Sequence, residues 1–196
     1  MLWSSCDNGG ILSGTTIIEG RVLEYGTNEP VENATVTLYE RVSTGTFSGT
    51  DLAVETIITD ASGRYSFESE GLGLVGVNAT HDNYFEPNMI TYDGIVYNDK
   101  NNVDIVIDPH AWLKLHIKNV NPFDENDLLT SYSNPIVGAS PENSYGQNID
   151  FYTTQKIRGN KNKHIIWWVT KNNIYQEFRD TIYCEGHKTT EYELFY

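Results

Sequence analysis

Three segments near the N-terminus carry the clearest secondary-structure signal: TIIEGRVLE (residues 16–24), EPVENATVTLY (residues 29–39) and TDASGRYSF (residues 59–67). In each segment apolar and polar residues alternate, and Gly, Pro, Asn or Asp stands at the ends. This period of two is typical of half-buried β-strands joined by tight turns. We therefore expect the alternate apolar residues, such as Ile18 and Val36, to face a core.

The composition favours an all-β protein. The chain has 196 residues, of which 39% are hydrophobic, so one large or two small domains with a real core can form. Tyr (13 residues) outnumbers Phe (7) and Trp (4), and tyrosine favours pleated, half-exposed surfaces. No apolar stretch approaches the roughly 20 residues of a membrane-spanning helix.

The net charge of −14 lies almost entirely in the first half. Residues 1–108 contain four Lys and Arg against seventeen Asp and Glu, a net charge of −13; residues 109–196 contain nine against ten, a net charge of −1. A basic run exists at Lys156, Arg158, Lys161 and Lys163, but no arginine-rich groove or stacking pattern accompanies it. The charge distribution therefore argues against nucleic-acid binding.

About seven strands are expected between residues 15 and 109. Asp60-Ala61-Ser62-Gly63 predicts a β-turn, because Asp can bond to its own backbone and Gly accepts a positive φ. Residues 44–51 are rich in Gly, Ser and Thr and predict a loop. Residues 89–97 predict a strand, and Asp108-Pro109 predicts the domain boundary, because proline interrupts a ladder of backbone hydrogen bonds.

This first domain resembles the carboxypeptidase regulatory-like family, a transthyretin-like β-sandwich. The resembling segments are EGRV (residues 19–22), EPVENATV (29–36), TDASGRYSF (59–67) and VNATHDNY (77–84). The resemblance covers residues 16 to about 108 and implies an architecture rather than an activity. It also implies a setting, since similar proteins are often cell-envelope lipoproteins or periplasmic lids of outer-membrane transporters.

Residues 110–196 predict a second β-sandwich, immunoglobulin-like in general shape. Residues 111–118 alternate cleanly, with Leu113, Leu115 and Ile117 inward. The segment 119–141 is long and polar, with a short strand near 128–132. Further strands are expected at 148–157, 165–171, 174–184 and 189–195, with Asn172-Asn173 as a hairpin turn because paired Asn residues tolerate left-handed backbone.

The N-terminus resembles the end of a bacterial lipoprotein signal peptide. Ser4 and Ser5 precede Cys6, and the polar run Asp7-Asn8-Gly9-Gly10 follows it. The resemblance implies that Cys6 carries a lipid, that residues 1–14 form a tether, and that a charged and apolar leader lies upstream. The alternative is a disordered tail with an incidental thiol. A disulfide from Cys6 to Cys184, the second cysteine, would tie the N-terminus to the last strands.

No catalytic or cofactor motif is visible, so we expect neither enzyme activity nor a cofactor. The histidines, at positions 81, 110, 116, 164 and 187, do not pair at metal-ligand spacing with each other or with Cys. Residues 124–127, Asp-Glu-Asn-Asp, gather oxygen atoms as calcium requires, but lack the EF-hand order and favour a solvated acidic turn. Related surface sandwiches join Lys to Asn covalently, with the Lys on their first strand; residues 16–24 contain no Lys, so no such bond is expected.

Trp167-Trp168 is the most informative aromatic pair. Adjacent residues of a strand face opposite sides. We expect Ile165, Trp167 and Val169 to face the core and Ile166 and Trp168 to face outward, where they would bind a sugar or a protein. The alternative is that a loop or the other domain covers them.

Three functional hypotheses follow. The first is a non-catalytic lipoprotein of a Gram-negative outer membrane, lipid-anchored at Cys6 on the surface or periplasmic side, that serves as an accessory subunit of an outer-membrane protein complex. The second is a surface glycan-binding lipoprotein for nutrient capture. The third is an enzyme that uses carboxylates such as Asp124 and Asp127. The sequence does not name the partner.

Overall fold

The computed structural model describes residues 14–45, 48–70, 74–87, 90–132 and 142–196. These residues form fourteen β-strands: β1 (Thr16–Glu24), β2 (Thr35–Gly45), β3 (Ser48–Ile58), β4 (Arg64–Ser69), β5 (Leu74–Thr80), β6 (Tyr84–Phe85), β7 (Lys100–Asn102), β8 (Ile105–Lys118), β9 (Leu128–Tyr132), β10 (Glu142–Tyr145), β11 (Asp150–Arg158), β12 (Lys161–Lys171), β13 (Ile174–Cys184) and β14 (Thr189–Phe195). The all-β fold class is confirmed. The chain divides into two compact units.

Unit 1 comprises Met1–Glu24, Asn28–His81 and Glu86–Ile107. One of its sheets has the antiparallel order β3-β2-β5. In the other, β1 pairs antiparallel with β4 and parallel with β7 and the first residues of β8. Side chains from both sheets fill the core, and each of the following is at most 2% exposed: Ile18, Val22, Val36, Leu38, Phe67 and Val77. The inward positions expected from period-two alternation are confirmed.

The predicted turn at residues 60–63 forms as expected. The Asp60 carboxylate accepts hydrogen bonds from the Ser62 and Arg64 amides at 2.8 and 2.9 Å. Gly63 has a φ of 70°, which a side chain would disfavour. The Gly63 amide donates to the Asp60 carbonyl at 2.8 Å, which closes the turn before β4.

The loop predicted over residues 44–51 is wrong. Strand β2 continues to Gly45 and β3 begins at Ser48, with Gly45 opposite Ser48 and Arg41 opposite Asp51. The hairpin therefore extends further than its apolar alternation. The outer part of the hairpin is held by hydrogen bonds between backbone groups. Such pairing does not require apolar side chains at alternate positions, so the sequence pattern does not reveal it.

The strand predicted over residues 89–97 does not form in its described part, residues 90–97. Thr91 makes a single bridge to Val77, with backbone hydrogen bonds of 3.0 and 2.8 Å. Gly94 follows at a φ of 79° and turns the chain. The alternating residues before Gly94 are too few to form a ladder of backbone hydrogen bonds, because the turn follows directly after the bridge at Thr91.

Unit 2 comprises Tyr25–Thr27, Asp82–Phe85 and Asp108–Tyr196. In its first sheet, β8 pairs antiparallel with β11 and β6 and parallel with β14. Its second sheet has the antiparallel order β10-β9-β12-β13. Residues from both sheets form the core, among them Leu113, Leu115, Ile117, Leu129, Ile165, Trp167, Val169 and Leu194.

A domain boundary was predicted at Asp108-Pro109 because proline was expected to interrupt the backbone hydrogen bonds of a strand. Pro109 does not interrupt them, because β8 continues through it. It lies inside β8 opposite Tyr84, and its carbonyl accepts a hydrogen bond from the Gly159 amide at 2.8 Å. Proline lacks an amide hydrogen but keeps its acceptor, so the strand continues to Lys118. The domain limits 15–109 and 110–196 stay a prediction.

Candidate functional site

The hairpin of β12 and β13 presents the residues that the sequence singled out. Asn172 and Asn173 have φ values of 49° and 59°, which suits a two-residue turn whose twist matches the strands. The register pairs every residue from Lys161 opposite Cys184 to Lys171 opposite Ile174. β12 is thus flanked by β9 and β13, and β13 stands last in the described sheet.

We call the outward side of this hairpin the hairpin face; it carries Ile166, Trp168, Tyr175, Glu177, Arg179 and Tyr183. Trp168 stands opposite Glu177 on one neighbour and Thr130 on the other. Its indole Nε1 donates to Glu177 Oε2 at 3.0 Å, and Arg179 Nε lies 2.5 Å from Glu177 Oε1. These hydrogen bonds from Trp168 and Arg179 hold the pKa of Glu177 below its usual value. Glu177 is therefore an anchored carboxylate between an indole and a guanidinium.

The inward residues of β12 lie where the alternation predicts. Ile165, Trp167 and Val169 are 3%, 8% and 4% exposed. Trp167 stacks on Phe178 with ring centroids 5.5 Å apart and planes at 12°. Ile166 and Trp168 lie on the opposite side, but they are half-buried rather than fully exposed. Their role as interface or ligand residues stays a prediction.

The most exposed aromatic residues of the hairpin face were not singled out from the sequence. Tyr175 and Tyr183 are 62% and 55% exposed. They share a face with Glu177 and Arg179 because they are spaced by even numbers along β13. The sequence shows that these residues alternate with others along β13. It does not show that β13 lies at the end of a sheet, because that position depends on the long-range pairing of β12 with β9.

A second aromatic group, the His116 cluster, lies on the other sheet of unit 2 and consists of His116, Tyr152 and Phe195. The imidazole of His116 stacks on Tyr152 at 4.2 Å and meets the Phe195 ring edge-on at 5.1 Å. His116 Nε2 also lies 2.7 Å from Asp150 Oδ1. The charged residues around it are paired, since Lys118 reaches Asp150 at 2.7 Å and Lys114 reaches Glu191 at 2.9 Å.

The acidic segment at residues 124–127 forms the expected turn with Glu125 and Asn126 exposed, but its last residue, Asp127, is not solvated. Asp127 is fully buried, and its carboxylate accepts hydrogen bonds from the Phe123 amide at 2.8 Å, Asn119 Nδ2 at 2.9 Å and the Asp124 amide at 3.3 Å. Burial opposes ionisation of Asp127, but these hydrogen bonds outweigh it and lower its pKa. Asp127 therefore holds the loop between β8 and β9.

Within the described ranges, no group of three or more His, Cys, Asp or Glu side chains could hold a metal ion. Cys6 lies outside the described residues. The Cys184 thiol is fully buried in unit 2, and burial raises its pKa. Across the part of the chain that the structure describes, no helix is long and apolar enough to cross a membrane.

No protein-family model matches the chain, and no curated protein matches its sequence. Among solved structures, the chain is similar to the Bacillus anthracis TIE protein, with 14% identity and a TM-score of 0.40 over 92% of this chain and 34% of the other. It is also similar to a streptococcal ancillary pilin, with 11% identity and a TM-score of 0.41 over 92% of this chain and 62% of the other.

A third similar structure is a putative carbohydrate-binding protein from Bacteroides uniformis, with 14% identity and a TM-score of 0.34 over 85% of this chain and 98% of the other. The chain thus spans about a third of the length of the first of these proteins and less than two thirds of the second.

Proposed function

We propose that the protein is a non-catalytic binding protein of the cell envelope that docks a protein partner on the hairpin face and along β13. In this proposal Cys6 carries a lipid anchor in a Gram-negative outer membrane, and the protein is an accessory subunit of an outer-membrane complex. Unit 1 is a carboxypeptidase regulatory-like sandwich that serves as scaffold.

The exposure of β13 is the observation that carries the proposal. Every residue from Ile174 to Thr181 is exposed, on both faces of the strand. Ile174, Tyr175, Phe178 and Tyr183 are 61%, 62%, 37% and 55% exposed. A long edge strand with exposed apolar side chains is a template for strand addition or face docking, and tyrosine is enriched at protein interfaces.

Capture from native membranes tests the docking surface. Tagged protein is extracted with its envelope in mild detergent, and co-purifying proteins are identified and quantified by mass spectrometry. We expect a stoichiometric outer-membrane protein with the wild type and its loss with Tyr175→Ala/Tyr183→Ala. Tyr152→Ala is the matched control, because Tyr152 is 60% exposed on the other sheet of the same unit.

Two outcomes contradict the docking proposal. In the first, the wild-type protein is recovered without a stoichiometric partner. In the second, the hairpin double variant and the Tyr152→Ala control retain the partner equally, which would place the contact elsewhere on the chain.

The anchor is tested separately from the partner. Mass spectrometry of protein extracted from the envelope should show acylation at Cys6, and Cys6→Ser should release the protein into the soluble fraction. An unmodified chain that begins at Met1 would contradict the anchor and leave the docking proposal standing.

A glycan is the second candidate ligand, and Trp168 favours it. The indole is half-exposed on a sheet face beside a fixed carboxylate and a guanidinium, an arrangement of apolar and polar groups that suits a sugar ring. Calorimetry against a polysaccharide panel should show binding that Trp168→Ala abolishes; no heat with any glycan would remove this candidate. The third alternative, an enzyme that uses carboxylates such as Asp124 and Asp127, stays a prediction; Asp127 is buried and hydrogen-bonded within its own loop.

A further inference from the structure

Strand β13 leaves one edge of its sheet open. Among the described residues it pairs with β12 on one side only and stands last in the order β10-β9-β12-β13. Its residues on the core side, such as Gln176 and Asp180, are exposed as well as those on the hairpin face, so the opposite sheet does not cover this strand. Another strand can therefore approach the backbone of β13 without meeting the second sheet of unit 2.

The edge of β13 lacks most of the features that block strand addition. The segment Ile174–Cys184 contains no Pro and no Lys, and its pairing with β12 runs through the whole strand without a shift of register. Edge strands that resist pairing are short or contain proline, lysine or a bulge. By comparison, the register of β3 with β2 shifts twice, and β10 has only 4 residues. β13 does carry charges of both signs, and these decide which partner fits.

Backbone geometry decides which residues of β13 can bond across the open edge. In a hairpin with a two-residue turn, the residues next to the turn, Lys171 and Ile174, form a hydrogen-bonded pair, and such pairs alternate along the ladder. The odd-numbered residues of β13 therefore direct their amides and carbonyls away from β12. The Thr181 amide agrees with this, because it donates to the side chain of its own neighbour, Asp180, at 2.7 Å.

A second copy of the chain can pair with this edge only in certain registers. Two identical antiparallel strands of one sheet are related by a two-fold axis normal to the sheet, which leaves each residue on its own face. Residues that lie opposite each other in a ladder also share a face. The axis must therefore pass beside a residue that lies opposite its own copy, and the positions of the charges can be compared for each choice.

We propose that β13 pairs antiparallel with β13 of a second copy of the chain, with the axis at Phe178. In this register Glu177 of each copy lies opposite Arg179 of the other, on the hairpin face. The contact of Arg179 with Glu177 of its own strand uses one of the five donors of the guanidinium. An axis at Glu177, Arg179 or Asp180 would place two like charges opposite each other, which destabilises a ladder. Charge complementarity therefore selects Phe178 among these central positions.

The apolar residues fit the same register. Ile174 of each copy lies opposite Ile182 of the other, at the ends of the paired segment, and the two Phe178 rings meet at the axis on the core side. Phe178 is 37% exposed although its ring stacks on Trp167, and a second ring would cover part of that exposed area. Directly opposed aromatic pairs stabilise antiparallel sheets.

The pairing goes beyond the proposed docking of an envelope protein, because it joins two copies of this chain. It uses the backbone edge of β13 and leaves Trp168, Tyr175 and Tyr183 on the hairpin face. The hairpin faces of the two copies would lie side by side on one continuous sheet. Of the two docking modes considered above, the dimer keeps face docking and occupies the edge that strand addition needs.

The mass of the purified full-length chain in solution tests the proposal. Size-exclusion chromatography with light scattering, under reducing conditions that prevent disulfides through Cys6, should give twice the chain mass of 22.2 kDa. Glu177→Arg should give the single mass, because it places a guanidinium opposite Arg179 of the other copy. The control is Glu193→Arg, the same change of charge at an exposed residue of β14, which should stay dimeric. A wild-type chain of single mass overturns the proposal.

Mixing two variants tests the charge complementarity itself. Arg179→Glu alone should also be monomeric, because it places two carboxylates opposite each other. A mixture of Glu177→Arg and Arg179→Glu chains restores two contacts of opposite charge and should return to the dimer mass. Far-ultraviolet circular dichroism establishes that each variant is folded. A mixture that stays monomeric, or a dimer of either variant alone, overturns the proposal.

The failure of this proposal is distinguishable from that of the docking proposal. A wild-type chain that is monomeric in solution but captures its envelope partner overturns the pairing only. A dimeric chain that captures no envelope protein supports the pairing and contradicts the docking proposal.

Discussion

Buried amides and carboxylates hold the irregular segments of both units by saturating backbone groups. Asn101 in unit 1 is 5% exposed. Its Oδ1 accepts from the Val96 amide at 2.7 Å, and its Nδ2 donates to the carbonyls of Val96, Asp99 and Ile17 at 3.0, 3.1 and 3.2 Å. One side chain thus fixes the segment before β7 against β1.

We expect Asn101→Ala to lower the free energy of unfolding by about 2 kcal/mol, because it leaves a buried amide and buried carbonyls without partners. Urea unfolding followed by circular dichroism measures the change. Asn102→Ala is the control: the neighbouring side chain is exposed, so its removal should change the stability by less than about 0.5 kcal/mol. Equal losses in both variants would contradict the role of Asn101.

Buried polar residues such as Asn101 could not be predicted from the sequence alone. Ile18 and Val36 were placed in the core because their apolar character recurs with a fixed period. Asn101 and Asp127 are not part of a periodic pattern, and Asn and Asp are equally common in solvent-exposed turns. Asn119 and Lys171 are 52 positions apart, and only the pairing of distant strands brings them together.

The strands themselves were predictable where one face is buried and the ends carry turn residues. Strands β1, β9 and β14 match the expected limits, because alternation and punctuation agree. The outer part of the β2–β3 hairpin did not follow from the sequence, since residues 43–50 are Gly, Ser and Thr apart from Phe47. The interruption near Thr91 did not follow either, because apolar residues continue past the point where Gly94 turns the chain.

The β12–β13 hairpin depends on left-handed backbone at its turn. Asn173 has a φ of 59°, a region that costs a residue with an ordinary side chain about 1 kcal/mol or more. We therefore expect Asn173→Ala to lower the free energy of unfolding by about 1 kcal/mol. Asn173→Gly should be neutral or slightly stabilising, because glycine adopts this region without strain.

Thermal and urea unfolding of the two Asn173 variants measure this difference. Both substitutions remove the same side-chain amide. The difference between the two variants therefore measures the free-energy cost of placing a side chain on left-handed backbone. If the Ala and Gly variants unfold together, the turn does not set the stability of the hairpin and the left-handed residue has another role.

The whole chain carries its charge asymmetrically, and this affects its stability. Residues 1–108 have a net charge of −13, whereas residues 109–196 have a net charge of −1. Ion pairs relieve part of the repulsion, since Lys100 reaches Glu19 at 2.9 Å and Arg21 lies 3.8 Å from Asp104. Four cations in the first half do not neutralise seventeen anions, so self-repulsion opposes its compact state.

We expect added salt to stabilise the protein, because the screening length falls from about 30 Å at 0.01 M to about 3 Å at 1 M ionic strength. Between these limits the melting temperature should rise by roughly 2–4 °C, which corresponds to about 1 kcal/mol for a chain of this size. Differential scanning calorimetry in sodium chloride measures the shift. The matched variant is Glu32→Lys/Glu70→Lys, which reverses two exposed charges of unit 1 and should show a smaller salt effect. An equal shift in the variant and the wild type would mean that salt acts through apolar hydration rather than through charge, since only the charge has changed between the two chains.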